Sequence, residues 1–181
     1  MPKKKIFSGT NNDIEVLTKR IRDSVIAKMG KDNSVGTSVL LGWLVDKLGG
    51  EIRVAEDLAN IEGHGGSLVI FEKRKFIIWL SPYTSPLRDN FTIAHELGHY
   101  FLHYDHKNNG NQQVVFARYG SDIFEWQANR FAAAFLMPRD EFIRQHNALG
   151  GDVRMVAGHF EVSRPAVEVR AQSLGLSQSN E

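Results

Sequence analysis

A helix drawn through Thr92–Tyr104 separates this stretch into two unlike sides. At 100° per residue with His95 as zero, His99 falls at about 40° and Glu96 at about 100°. Ile93, Ala94, Leu97, Tyr100, Phe101 and Tyr104 fall between roughly 140° and 260°, on the opposite side. Such a helix must bury its apolar side in a core and still keep two imidazoles and a carboxylate within reach of a neighbouring element. A fold without a cavity beside this helix would strand three polar groups.

The spacing carries chemistry of its own. Histidines at i and i+4 stand one turn apart, so both rings can reach one tetrahedral ion. The glutamate between them can reach a water activated by that ion without being a ligand, the arrangement of a zinc ion with a general base. From the seven histidines and the glutamates of this chain, about 0.02 chance matches to this pattern are expected. The chain has no cysteine, which excludes disulfides, thiolate zinc sites and a thiol nucleophile. Any transition metal must then be held by His, Asp or Glu, with zinc the expected ion and manganese the other candidate.

A catalytic zinc site uses three protein ligands. In the longer pattern with a third histidine six residues on, that position is Asp105 and the required glycine is Leu102, so the pattern fails. Glu125 on a downstream helix is the best candidate, with Asp122 and Asp105 as reserves. Taking Glu125 as zero, Ala128, Asn129, Ala132, Ala133 and Leu136 lie within about 80°. Those small residues permit the close approach that a short carboxylate needs, and Asn129 is placed to hydrogen-bond a ligand. His103, at about 80° on the first helix, is a candidate for orienting the site, for stabilising an oxyanion, or for capping the helix end. Tyr104, His106, Arg118 and Tyr119 are weaker candidates for transition-state stabilisation. His64, His146 and His159 have no partner at ligand spacing and read as surface or structural residues.

Around this pair of helices the pattern predicts a mixed α+β chain: a small β-sheet packed on the helix that carries the two histidines, with N-terminal helices and a C-terminal helix-turn-helix-like segment. Ile14, Leu17, Ile21 and Val25 recur at helical spacing after Asn12 or Asp13 as N-cap, and Gly30 ends that helix. A second helix runs from Thr37 to Leu48. Glu51–Ala55 reads as a short strand, and Ser67–Phe71 with Phe76–Leu80 as a hairpin. The glycines around His64 mark a loop. Helical texture dominates after Pro86, broken by the polar stretch 105–113. Val153–Phe160 and Arg164–Leu174 flank a turn, with Ser163 as N-cap and Gly175 as stop. This divides the chain into an N-terminal helical segment (1–50), a core carrying the candidate site (51–140) and the C-terminal segment (141–181).

Charge argues against DNA as the principal partner. Lys and Arg total 22 and Asp and Glu 21, a formal +1. Residues 1–35 hold eight basic and four acidic side chains, a net +4, which leaves −3 for the rest. From Met155 to Gly175 the basic residues are Arg164 and Arg170, balanced by Glu161 and Glu168, so phosphate neutralisation would be poor. No apolar h-region follows the lysines of the first residues and no run reaches membrane-spanning length, so the cytoplasm is the expected compartment.

The stretch Phe91-Thr92-Ile93-Ala94-His95-Glu96-Leu97-Gly98-His99-Tyr100-Phe101-Leu102-His103 resembles the ImmA/IrrE family of metallopeptidases. So does Glu125-Trp126-Gln127-Ala128-Asn129-Arg130-Phe131-Ala132 running on to Leu136-Met137-Pro138. The hairpin before the first helix fits the same layout, so the resemblance covers roughly Glu51 to Pro138. It implies a gluzincin-like centre with His95, His99 and Glu125 on zinc and Glu96 as base. It also implies endopeptidase action on a helix-turn-helix transcriptional repressor, in phage, mobile-element or stress regulation. One departure is Gln127, where the family usually has a second Glu; the helical wheel turns it about 200° from Glu125, away from the ion. The alternative from a different class is a DNA-associated or partner-binding regulator whose metal site is sensory or vestigial.

Overall fold

The structure is a computed structural model that describes residues 4–30, 35–56, 67–107, 112–116 and 123–176. Along the chain come α1 (Asn11–Met29), α2 (Thr37–Lys47), β1 (Gly50–Val54), β2 (Leu68–Glu72), β3 (Lys75–Leu80), α3 (Pro86–Leu102), β4 (Val114–Phe116), α4 (Ile123–Leu136), α5 (Arg139–Ala148), α6 (Val153–Phe160) and α7 (Arg164–Ser173). The α+β expectation holds, and so does nearly every element boundary to within a residue or two. The loop expected around His64 lies outside the described residues.

Two local details differ from the sequence reading. The N-cap of α1 is Thr10, not Asn12 or Asp13. Thr10 accepts from the Asp13 backbone N–H at 3.3 Å, and the Asp13 carboxylate accepts from the Thr10 backbone N–H at 2.7 Å. That reciprocal pair is a capping box, which satisfies two orphan donors where a lone cap satisfies one. The strand β4 was hidden in a stretch read as polar linker and helix. It is only three residues long, too short for a period-2 pattern to show.

The four strands line up in the order β1-β3-β2-β4. β2 and β3 form the expected antiparallel hairpin, β1 runs parallel to β3, and β4 runs antiparallel to β2. Reaching β1 from α2 requires a reversal at Gly49, whose φ is +80°. A Cβ there would lie 2.3 Å from the carbonyl oxygen of Arg74, so only glycine fits the turn.

One face of the sheet supplies Leu68, Ile70, Phe76 and Ile78 to an apolar cluster, all essentially without solvent exposure. α3 adds Ile93, Ala94 and Leu97, and α4 adds Phe131, Phe135 and Leu136. Complete burial of each such side chain is worth about 1.5–3 kcal/mol, so this cluster dominates the stability of the fold. It also takes in Ile14 and Leu40 near the front of the chain and Phe142, Val156 and Val167 near its end.

The C-terminal helices are tied into the rest by polar groups. The Arg170 guanidinium is 1% exposed; it donates to Glu15 Oε1 and Oε2 at 2.5 and 2.9 Å and to the Met137 carbonyl at 3.0 Å. In the turn between α6 and α7, Glu161 takes a left-handed conformation (φ 53°). Its carboxylate accepts from the Thr37 backbone N–H at 2.9 Å. The N-cap of α2 is Gly36, which has no side chain to cap with, and Glu161 supplies the missing acceptor across the molecule. No helix of the described residues is long and apolar enough to cross a membrane.

Candidate metal centre

Helix α3 starts cleanly and ends close to the site. Ser85 caps it by accepting from the Arg88 N–H at 3.4 Å, and Pro86 occupies the first turn, where a missing N–H costs nothing. From there the 3.6-residue repeat turns Ala94 and Leu97 into the core, His95 and His99 toward Glu125 of α4, and Glu96 toward Ser67 at the start of β2.

The two helices meet at a glycine. A Cβ on Gly98 would lie 3.0 Å from the Ala128 Cα, 3.1 Å from the Ala128 carbonyl oxygen and 3.1 Å from the Phe131 Cβ. Backbone therefore packs on backbone at this crossing. The closeness puts Glu125, three residues before Ala128, opposite both histidines. Glu125 Oε2 stands 3.3 Å from His95 Nε2, and Glu125 Oε1 stands 3.1 Å from His99 Nε2. The two Nε2 atoms are 3.0 Å apart. One donor atom from each of the three residues lies within 4.8 Å of the others.

The orientation of the rings matters as much as the distances. His95 Nδ1 is 2.9 Å from Asn129 Oδ1; with the amide oxygen as acceptor, the ring carries its proton on Nδ1 and turns the Nε2 lone pair inward. Asn129 thus sits where the helical wheel placed it. His99 is 2% exposed and stacks on Phe116 of β4, ring centres 4.8 Å apart. Two imidazole nitrogens and a carboxylate converging at about 3 Å would repel one another without a cation or proton between them. Nitrogen and oxygen donors converging from three residues, with the carboxylate part-exposed, suit zinc.

Charges in the centre are mutually adjusted. Burial opposes ionisation of Glu125, but hydrogen bonds and charge from His95 and His99 outweigh it and hold the carboxyl down at about 2. Burial likewise opposes a charge on His95, but the protonated ring donates to Glu125 and lies near the Glu96 carboxylate, which outweighs burial, so His95 is raised.

Glu96 is 1% exposed. The Ser67 hydroxyl donates to its Oε1, while Oε2 is buried with no hydrogen-bond partner among the described residues. A buried carboxylate oxygen left unpaired costs stability and marks a group held ready for another partner. Ser67 carries no mark of this role in the sequence. It stands just ahead of β2, 29 residues from Glu96, and nothing in its local pattern signals the contact.

His103 is fully buried, directly behind His99. Its Nδ1 is 3.0 Å from His99 Nδ1 and its Nε2 is 3.0 Å from Gln127 Oε1. Burial, only partly offset by the Gln127 hydrogen bond, drops its pKa to about 4. Its backbone also closes α3, donating to the His99 carbonyl at 2.9 Å. Gln127 is itself 3% exposed, so the residue that the wheel turned away from Glu125 is joined to His99 through one intervening ring, that of His103. A hint was present in the sequence: Gln127 shares a helix flank with Phe131, and a polar side chain on an apolar flank needs a partner.

Other sequence candidates are spread out. Tyr104 and His106 pack with Tyr100 in a ring cluster of their own, with centre separations of 4.7–6.0 Å. Asp105 is not among the grouped donors. Arg118, Tyr119, Asp122 and His64 lie outside the described residues. His159 pairs with Glu141 at 3.3 Å, and His146 stacks on Phe142.

Comparison with known proteins agrees with this architecture. No curated protein matches the chain. Among solved structures, a Mycobacterium tuberculosis transcriptional regulator superposes with a TM-score of 0.60 at 20% identity, over 90% of this chain and 48% of the other. The chain thus spans about half the length of that regulator, and at this identity the likeness is one of fold. Residues 53–172 match a peptidase family described as the IrrE N-terminal-like domain, a span from β1 to α7 that encloses the donor cluster and Glu96. The chain belongs to that family, the M78 peptidases.

Proposed function

We propose that this chain is a zinc-dependent endopeptidase, with His95, His99 and Glu125 holding the ion and Glu96 as general base. The observation that carries the reading is the state of Glu96: one oxygen anchored by Ser67, the other buried and without a hydrogen-bond partner beside the donor cluster. When bound, the ion supplies Lewis acidity to the scissile carbonyl and makes the attacking water more acidic.

Glu96 Oε2 takes a proton from that water as its oxygen adds to the carbonyl carbon. The same oxygen then returns the proton to the amine as the C–N bond breaks. Ser67 keeps the carboxylate from rotating between the two transfers. Asn129 holds His95 with its Nε2 facing the ion.

The proposed substrate is a helix-turn-helix transcriptional repressor in the cytoplasm. Family membership supports a peptide substrate, and the named activity of the structural neighbour supports a link to transcription control. A DNA-reading role for α6 and α7 is disfavoured because Arg170, one of the three arginines there, is buried against Glu15. The test is co-expression with candidate helix-turn-helix repressors. Cleavage by the wild type that Glu96→Gln abolishes, with zinc still bound, is the expected result; undiminished cleavage by the variant overturns the assignment.

A further inference from the structure

We infer that the main-chain carbonyl of Phe7 sets, through Gln127 and His103, the tautomer in which His99 meets an ion. This makes Gln127 and His103 positioning residues of the centre. The inference rests on the metal-centre reading proposed above and concerns groups that reading leaves unused.

The geometry is a relay of four groups. Gln127 Nε2 donates to the Phe7 carbonyl at 2.7 Å, Gln127 Oε1 is 3.0 Å from His103 Nε2, and His103 Nδ1 is 3.0 Å from His99 Nδ1. A carbonyl can only accept, so the Gln127 amide must turn its NH2 toward Phe7 and its oxygen toward His103. That oxygen can only accept, so His103 carries a proton on Nε2. With one proton on the ring, His103 Nδ1 is then an acceptor, and His99 must carry its proton on Nδ1. His99 Nε2 is left with a free lone pair, aimed at His95 Nε2 and Glu125 Oε1. Each step follows from the one before, and the first is fixed by the backbone.

The N-terminal segment that supplies this carbonyl is itself held in place. The Lys5 N–H donates to the His103 carbonyl at 2.8 Å, and Lys4 bridges Tyr104 in antiparallel fashion. The Lys4 ammonium lies 4.7 Å from the centre of the Phe116 ring, the same ring that stacks on His99. Segment 4–7 therefore straps the back of the centre. A glutamate at position 127 could accept from His103 but could not donate to Phe7, so this chain's glutamine matches its strap.

The relay is read directly by two-bond proton–nitrogen NMR of the histidine rings in the full-length chain, metal-free and zinc-loaded. The expected spectra show His99 as the Nδ1–H form and His103 as the Nε2–H form. A His103 ring protonated on Nδ1 overturns the inference. Chelator competition supplies the second readout: Gln127→Leu should weaken zinc binding by about 10–100-fold, as loss of an outer hydrogen-bond partner does, and Gln127→Glu, whose carboxylate can only accept from His103 and needs no orienting by Phe7, should recover most of it. Equal zinc affinity for Gln127→Leu and the wild type also overturns it. Should Gln127→Leu fail to fold, the wild-type tautomers and Gln127→Glu decide. If the wild type binds no zinc, the metal-centre reading fails, while the metal-free ring tautomers still judge the relay.

Discussion

The Ser67 hydroxyl donates to one oxygen of Glu96 and leaves the other oxygen buried and unpaired among the described residues. A strand end thereby aims a carboxylate that a helix carries. A hydrogen bond to a charged group is worth about 1.5–3 kcal/mol, so Ser67→Ala should lower kcat about tenfold or more with zinc affinity unchanged. Steady-state cleavage with parallel zinc titration checks this. Equal loss of zinc binding would mean that Ser67 supports the ligands and not the base.

Among the described residues, Glu125 supplies the one carboxylate of the grouped donors. At a zinc concentration 100 times its dissociation constant, binding to the native state should add about 2.7 kcal/mol of stability. Glu125→Ala should lose most of that gain, read as the zinc-induced rise in melting temperature. A variant that keeps the whole rise would shift the third-ligand role to the other carboxylates weighed above, Asp105 and Asp122.

The buried pair between α1 and α7 gives a prediction about stability alone. Arg170→Met strips the counter-charge from Glu15, which retains some exposure, and should cost about 3 kcal/mol in urea unfolding. Replacing both residues with apolar ones should restore much of the loss. An Arg170→Met protein within about 0.5 kcal/mol of wild type would show the pair to be ornamental.

His106 predicts a pH dependence. Its Nε2 donates to the Tyr100 carbonyl at 3.1 Å, while its Nδ1 is buried without a partner among the described residues. Burial, partly opposed by that hydrogen bond, lowers its pKa from 6.5. The unfolded chain therefore takes up the proton first as pH falls. The stability due to the neutral ring is present above pH 6.5 and is lost as pH drops toward the folded-state value. Unfolding midpoints measured from pH 7 downward should fall more steeply for wild type than for His106→Gln. Parallel curves would rule His106 out as the source.

Legibility in the sequence followed the range of the interaction. His95, Glu96 and His99 share a face because helical geometry is local, and Glu125 could be found because small residues advertise a close helix crossing. The capping box at Thr10 was legible in principle, since Asp13 follows it by three residues. Ser67 on Glu96, Glu161 on Thr37 and Phe7 on Gln127 were not, because each joins groups 29, 124 and 120 residues apart. Such pairs exist only once the sheet and helices have packed, and no periodicity announces them.

The crossing at Gly98 has a consequence for how centres of this kind decay. The distance from Glu125 to the two histidines is gauged by a hydrogen atom where other residues carry a methyl group. A single added carbon there would press on the Ala128 backbone and push α4, with its Glu125 carboxylate, back from the two histidines while every ligand residue stayed in the sequence. Descendants could thus lose the ion without altering a ligand, and keep a motif that still reads as active. The residue before the second histidine is thus as much a part of the centre as the side chains that face it, though it offers no atom to an ion.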